Sequence, residues 1–221
     1  MVDATAHVKP GGPALDRTLP LPDTTARVRK LSVGSMDNNV YILTDTASAR
    51  SVLIDAANDA PRILNEVSDV VLEGILTTHG HADHWQALGE VAEATGAPTF
   101  IHPDDAEMLP LTPDRELADE MTLTFGGVTV EMIHTPGHTP GSTCVLLRGG
   151  ATNYLFSGDT LFPGGPGNTF GDAQAFSTIM KSLRERLFTL PDETIVCPGH
   201  GDGTTLGAER PQLEEWQARG W

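Results

Sequence analysis

The strongest chemical signal in this chain is six consecutive residues, His79, Gly80, His81, Ala82, Asp83 and His84. Imidazole nitrogen and carboxylate oxygen are the ligands that borderline first-row metals such as zinc take at neutral pH. Three imidazoles and a carboxylate this close must either repel when protonated or share cations. Spacing sharpens the reading. On a helix, residues i and i+2 point to different sides; at a strand end they share a face, so His79 and His81 converge if a strand ends there. Gly80 leaves the backbone between them free to turn. Asp83 and His84, adjacent in the chain, diverge where a helix starts, which suits a second metal beside the first. The alternative is a histidine-rich loop that merely caps that helix, with Asp83 as N-cap.

Three more candidates follow apolar runs that end in glycine-containing turns: His138 in VTVEMIHTPGHTPGS, Asp159 in YLFSGDT and His200 in TIVCPGHG. If each run is a strand, all three emerge at strand ends, where rigid Pro-Gly turns can hold ligands with little entropic loss. With His79, His81, Asp83 and His84 they make seven protein ligands, too many for one tetrahedral ion. They suit two divalent metals about 3.5 to 4 Å apart, with one carboxylate bridging and a position open to water. Structural zinc sites are closed and cysteine-rich, so an open histidine–carboxylate pair implies catalysis. His134 is read as a supporting or core residue near the site. His102 and His7 are read as ordinary polar residues, and Cys197 as a core thiol.

The elements that must position these groups are short. RVRKLSV, NNVYILTD and SVLIDA read as three consecutive strands, followed by a helix over about 60 to 68 and a buried strand in VLEGILTT. Asp83 to Thr95 has helical spacing and is stopped by Gly96 and Pro98. A short strand, a short helix and four more strands follow, with Gly126-Gly127 and Gly149-Gly150 as hairpin turns. Asp172 to Phe188 is the clearest helix; ETIVC is a last strand and about 207 to 218 a last helix. Strands separated by helices, with hairpins throughout, imply a mixed α/β protein. Residues 1–24 hold four prolines without periodicity and read as an N-terminal arm, poorly ordered or laid over a single domain spanning 25–221.

Composition narrows the partners. The formal net charge of -16 should repel a phosphate backbone, and no run of Lys or Arg offsets it, so nucleic acid is not expected. No apolar run reaches the roughly 18 residues of a membrane span, and the first residues lack the basic start and apolar stretch of a secretory signal. Cys144 and Cys197 form no framework and read as buried thiols of a cytoplasmic protein. Oligomeric state is not legible here.

THGHADH, HTPGHTPGS, SGDTLF and CPGHG, in that order across residues 27 to 203, resemble the metallo-β-lactamase superfamily and, within it, the glyoxalase II-like hydrolases. The resemblance implies an αββα sandwich, two mixed β-sheets face to face with helices on the outer faces and a dinuclear site along one edge. It assigns His79, His81 and His138 to the first metal, Asp83, His84 and His200 to the second, and Asp159 to the bridge. Zinc is the expected metal, with iron or manganese as alternatives. An aspartate at the bridging position looks like glyoxalase II, where many β-lactamases of the family carry cysteine. Two departures count against glutathione as the carrier. Only about twenty residues follow His200, where similar enzymes have a helical glutathione-binding domain, and Asn168 stands where a basic residue is common.

The activity this implies is thioester hydrolysis by a hydroxide shared between two metals, with Asp83 as the catalytic residue that orients it and accepts its proton. The expected substrate is a small-molecule ester or thioester. A lactonase or other esterase would use the same metal pair. A persulfide dioxygenase of the same fold would bind one iron through two histidines and a carboxylate. A non-catalytic relative would have lost ligands, and none is missing.

Overall fold

A computed structural model describes residues 6–150 and 152–220. The three strands expected first form an antiparallel meander: β2 (Thr25–Val33), β3 (Asn38–Asp45) and β4 (Arg50–Ile54). The preceding β1 (Leu15–Pro20) pairs antiparallel with β2 along its whole length. This corrects the expectation of an arm over residues 1–24. Prolines at both ends hid the strand, and its register against β2 is supplied by tertiary pairing instead of its own periodicity; residues 1–5 of the arm lie outside the described residues.

The chain then crosses by α1 (Ala60–Glu66), whose second residue is Pro61 and whose start Asp59 caps, into β5 (Val71–Leu76). α2 (Leu88–Thr95), β6 (Thr99–Ile101) and β7 (Arg115–Glu116) complete a seven-stranded sheet in the order β1-β2-β3-β4-β5-β6-β7, antiparallel in its first half and parallel from β4 onward. The second half builds β8 (Thr122–Phe125), β9 (Val128–His134), β10 (Thr143–Leu147) and β11 (Tyr154–Gly158) as antiparallel neighbours. After the small hairpin of β12 (Leu161–Phe162) and β13 (Gly165–Pro166) and helix α3 (Ala173–Ser182), β14 (Ile195–Pro198) adds parallel to β11 and β15 (Thr204–Thr205) closes the edge. The last elements are α4 (Leu206–Glu209) and α5 (Leu213–Arg219).

Strands in this arrangement are buried on both faces, so their sequences are continuous apolar runs, and successive residues serve different layers. In β3 and β4, Leu43, Val52 and Ile54 face inward onto Val130, Met132, Val145 and Phe156 of the second sheet. Their neighbours Ile42 and Leu53 face outward onto Ile63 of α1 and Leu88 and Val91 of α2. Across the molecule, Leu146, Leu155 and Val196 carry Ile179 and Met180 of α3 and Trp216 of α5. The result is an αββα sandwich of two mixed sheets.

Two helices differ from their expected extents, and a third, expected from Asp172 to Phe188, has that extent but changes form along it. The segment read as one helix from Asp83 is a 3-10 turn (Ala82–His84) followed by α2 at Leu88, because Trp85 adopts φ -139 and donates its indole N–H to Gly80 O at 2.7 Å. α3 runs on as a π-helical turn (Leu183–Leu187). The last helix is broken where Pro211, in a 3-10 turn, removes a backbone donor.

Candidate metal centre

The groups singled out from the sequence arrive at one place because each follows the C-terminal end of a strand. β5 leads to His79, β9 to His138, β11 to Asp159 and β14 to His200. His79, His81 and His138 present ring nitrogens that all lie within 4.8 Å of one another, and so do the ligand atoms of Asp83, His84 and His200. Asp159 stands between the two groups. Its Oδ1 is 3.4 Å from His84 Nε2, and its Oδ2 is 3.6 Å from His138 Nε2 and 3.4 Å from His200 Nε2. The helix-capping alternative for Asp83 fails: its Oδ2 accepts from Asn38 Nδ2 at 2.9 Å and lies 3.4 Å from His200 Nε2.

The outer nitrogens of the imidazoles are held by the chain, which decides where the inner lone pairs point. His84 Nδ1 bonds Asp55 Oδ2 at 2.9 Å, His138 Nδ1 bonds Asn168 O at 2.7 Å, and His200 Nδ1 bonds Met36 O at 2.8 Å. His79 Nδ1 lies 3.1 Å from Thr78 Oγ1, whose own proton goes to Asp55. Each Nδ1 is therefore a protonated nitrogen and each Nε2 is the one aimed inward, the atom a cation would take in place of a proton; this assignment follows from the partners. His81 differs, presenting Nδ1 to His138 Nε2 at 2.9 Å.

Several residues that sequence reasoning passed over hold this set. Asp55, in the left-handed region at φ 58 after β4, accepts from Thr78 N, Thr78 Oγ1 and His84 together. Buried Asp105 accepts from Gly80 N, Thr139 Oγ1 and Gly141 N, tying the loop of His81 to the loop of His138. Asn39 and Tyr41 donate to Pro198 O, and Asn39 and Lys30 to Gly201 O, so the β2–β3 hairpin grips the turn carrying His200. The only hint of these in the sequence was that Asp55 and Asp105 are acids beside apolar runs. Gly199 is required for close approach, since a Cβ there would lie 2.6 Å from His84 Cε1 and overlap Asp159 Oδ1.

The electrostatics are those of a cluster built for cations. Burial, then the neighbouring His84, drives His79 well below the ordinary imidazole value. At His84 burial also opposes charge, but Asp55 and Asp159 outweigh it and hold the ring well above that value. Burial likewise opposes charge on His200, yet hydrogen bonds to Asp159 and Asp83 raise it to about 10. Asp159 and Asp83 are both lowered, because hydrogen bonds from His200 and its neighbours outweigh their desolvation. Protons and cations compete for these lone pairs. His79 Nε2 and Asp159 Oδ1 are buried and have no hydrogen-bond partner, and two ring nitrogens face each other across 2.9 Å. Buried polar atoms left like this are rare unless something binds them, so the donor set fits divalent cations.

A cavity of about 710 Å³ opens beside His138, between the His134 strand end and the start of α3. His134, expected near the site, lies on its rim: its ring stacks on His102 at 4.0 Å and its Nε2 bonds Pro140 O. His102 is thus less ordinary than expected. Phe170, 70% exposed and at φ 55, stands 5.7 Å from the His81 ring and 5.9 Å from that of His138. Cys144 and Cys197 are free and buried, in keeping with core thiols.

Layers and cluster together are those of the metallo-hydrolase superfamily. The family model of the metallo-beta-lactamase superfamily matches residues 33–200, and the chain belongs to that superfamily, whose fold binds divalent metals. Among similar proteins is hydroxyacylglutathione hydrolase GloC of Haemophilus influenzae, 30% identical over 200 residues that cover 81% of this chain and 93% of that protein. ETHE1 from Myxococcus xanthus superposes with a TM-score of 0.73 at 31% identity, covering 83% of this chain and 81% of that one. TTHA1623, solved in a di-iron-bound form, does so with a TM-score of 0.68 at 33% identity, covering 82% and 96%. No helix among the described residues is long and apolar enough to cross a membrane.

Proposed function

We propose that this chain is a dinuclear-metal hydrolase that cleaves a small-molecule thioester. The observation that carries the reading is Asp159 set between two groups of three ligands, each within 4.8 Å, with inward-facing lone pairs. His79, His81 and His138 would hold one divalent cation, Asp83, His84 and His200 the other, and Asp159 would contact both. Zinc fits these nitrogen and oxygen donors, and iron, as in the di-iron relative, fits them too. When bound, the pair supplies Lewis acidity that makes water nucleophilic at neutral pH and polarises a carbonyl.

The remaining work falls to the chain. Asp83, fixed by Asn38, orients the attacking water and takes its proton. The bonds of His84, His138 and His200 to Asp55, Asn168 O and Met36 O keep the ligand frame from rotating as charge develops. The cavity beside His138 seats one arm of the substrate, and Phe170 shields the open face from water.

Metal analysis of the purified protein, followed by a thioester and lactone panel with thiol detection, tests the proposal. Two metals per chain and thiol release are expected, with Asp83→Ala and His138→Ala folded but inactive. Full activity in either metal-loaded variant would contradict the assignment. A second reading, a mononuclear iron dioxygenase, draws on His79, His84 and Asp159, which by themselves form a two-imidazole, one-carboxylate set. One iron per chain with oxygen consumption would establish it instead.

A further inference from the structure

The cavity beside the candidate metal centre has a charge pattern that selects its occupant. Asp104 and Asp172 line it, with Gln174, Thr178 and the ring of His134 as further polar groups. A third carboxylate, buried Asp105, sits behind the wall and accepts from Thr139 Oγ1 at 2.6 Å. Among the described residues no Lys or Arg lines the cavity. The cations that follow the lining residues along α3 and its π-helical turn are engaged elsewhere, Arg184 on Glu214 at 2.8 Å. Arg186 spends both terminal nitrogens on Asp119, at 2.7 and 2.8 Å, and Asp119 also accepts the His134 N–H. Lys181, on α3 beyond the lining residues, lies 3.9 Å from Glu185.

Away from His138, the start of α3 brings a partial positive charge to the cavity wall. A helix N-terminus carries roughly half a positive charge, but the full negative charge of Asp172 caps it, its Oδ1 accepting from Gln174 N and Ala175 N. Burial and the facing His134 push His102 below the ordinary imidazole value, so the His102 ring adds no positive charge there at neutral pH. Pro136, Pro140, Ala175 and Phe170 make the rest of the wall apolar. Met36, Met108 and Phe170, three of the four large exposed apolar residues among the described ones, stand beside the site: Met36 through its carbonyl on His200, Met108 against Gly80, and Phe170 over His81 and His138.

We infer that this cavity receives the leaving-group arm of the substrate and accepts an uncharged or cationic thiol, excluding anionic carriers such as those bearing carboxylates. The inference rests on the hydrolase reading and adds the substrate class to it. An anionic arm would enter a wall with two lining carboxylates and, away from the metals, no Lys or Arg among the described residues to offset them. A cationic or neutral arm would meet carboxylate, amide, hydroxyl and apolar partners.

The test uses one acyl group on three thiols: thiocholine (cationic), N-acetylcysteamine (neutral) and 3-mercaptopropionate (anionic). The expected kcat/KM falls by about tenfold or more from the cationic to the anionic thioester, the size that two unit-charge interactions a few ångströms beyond contact give at a partly solvated wall. The double variant Asp104→Asn, Asp172→Asn should collapse that ratio toward one, with the asparagine keeping the α3 cap. Equal or preferred hydrolysis of the anionic thioester, or a ratio unchanged in the variant, overturns the inference. The matching oxygen esters are run in parallel. If only they are cleaved, the thioester reading fails while their charge order still decides this one. Should nothing be cleaved, calorimetry with unreactive thioethers of the three thiols decides it: affinity falling from cation to anion upholds the inference, and an equal or reversed order overturns it.

Discussion

Replacing Asp55 with asparagine isolates what the groups behind the ligands contribute. Asp55 is buried and ligates nothing in the proposed scheme, yet it accepts from Thr78 N at 2.7 Å, Thr78 Oγ1 at 2.8 Å and His84 Nδ1 at 2.9 Å. In Asp55→Asn the amide oxygen can still accept from Thr78 N, so the turn after β5 keeps its anchor. The amide nitrogen cannot accept from His84 Nδ1–H. The ring must then lose that bond or shift its proton to Nε2, the atom aimed at the metal. A hydrogen bond to a charged group is worth about 1.5 to 3 kcal/mol, and removing such a partner behind a metal ligand weakens metal binding about 10- to 100-fold. That range corresponds to about 1.4 to 2.7 kcal/mol, so the two scales agree. The assay is a competition titration of metal against a chelator, with imidazole nitrogen chemical shifts reporting the tautomer of His84. Affinity within twofold of the parent, with His84 still protonated on Nδ1, would refute the reasoning.

Gly199→Ala should abolish binding of metal at the second group while leaving the sheets formed, because its Cβ would collide with His84 and Asp159; stoichiometric metal uptake with unchanged circular dichroism would contradict this. Chelation of the metal-loaded protein should lower its unfolding free energy by about 2.7 kcal/mol for each metal site at which free metal had stood at 100 times its dissociation constant, which calorimetry reads as a drop in Tm of roughly 5 to 10 °C per site. Asp45, at the end of β3, is held down to about 2, chiefly by the Ser48 hydroxyl and also by Thr24, against its own desolvation. Because the folded value lies below the unfolded one, its contribution is present above about pH 4 and fades as pH falls through 2. The stability gap between the parent and Asp45→Asn should therefore close over that interval in acid titrations.

Much of the architecture was legible because each core strand writes its two-sided burial into the chain as an unbroken apolar run. Ile42-Leu43 and Leu53-Ile54 serve opposite layers, and the runs containing them could be bounded by glycine and serine turns. Leu15–Pro20 was not legible, since an edge strand with exposed alternate residues gains its structure from pairing with β2. The start of α2 was misplaced for a related reason: helical spacing continued through Trp85, but its indole bond to Gly80 O and the geometry of His84 took precedence.

By itself the sequence determined the donor types, their clustering at the ends of apolar runs, and the count that asks for two cations. These are local properties, written in single residues and their spacing. Only the tertiary structure decided which nitrogen of each imidazole faces inward, because that depends on Asp55, Asn168 O and Met36 O, brought from separate loops. It also decided that the cavity beside His138 is walled by Asp104 and Asp172, nearly seventy residues apart, with Arg186 turned to Asp119. Charge in a pocket is a sum over surfaces that meet only after folding, and no spacing rule along one chain can supply it.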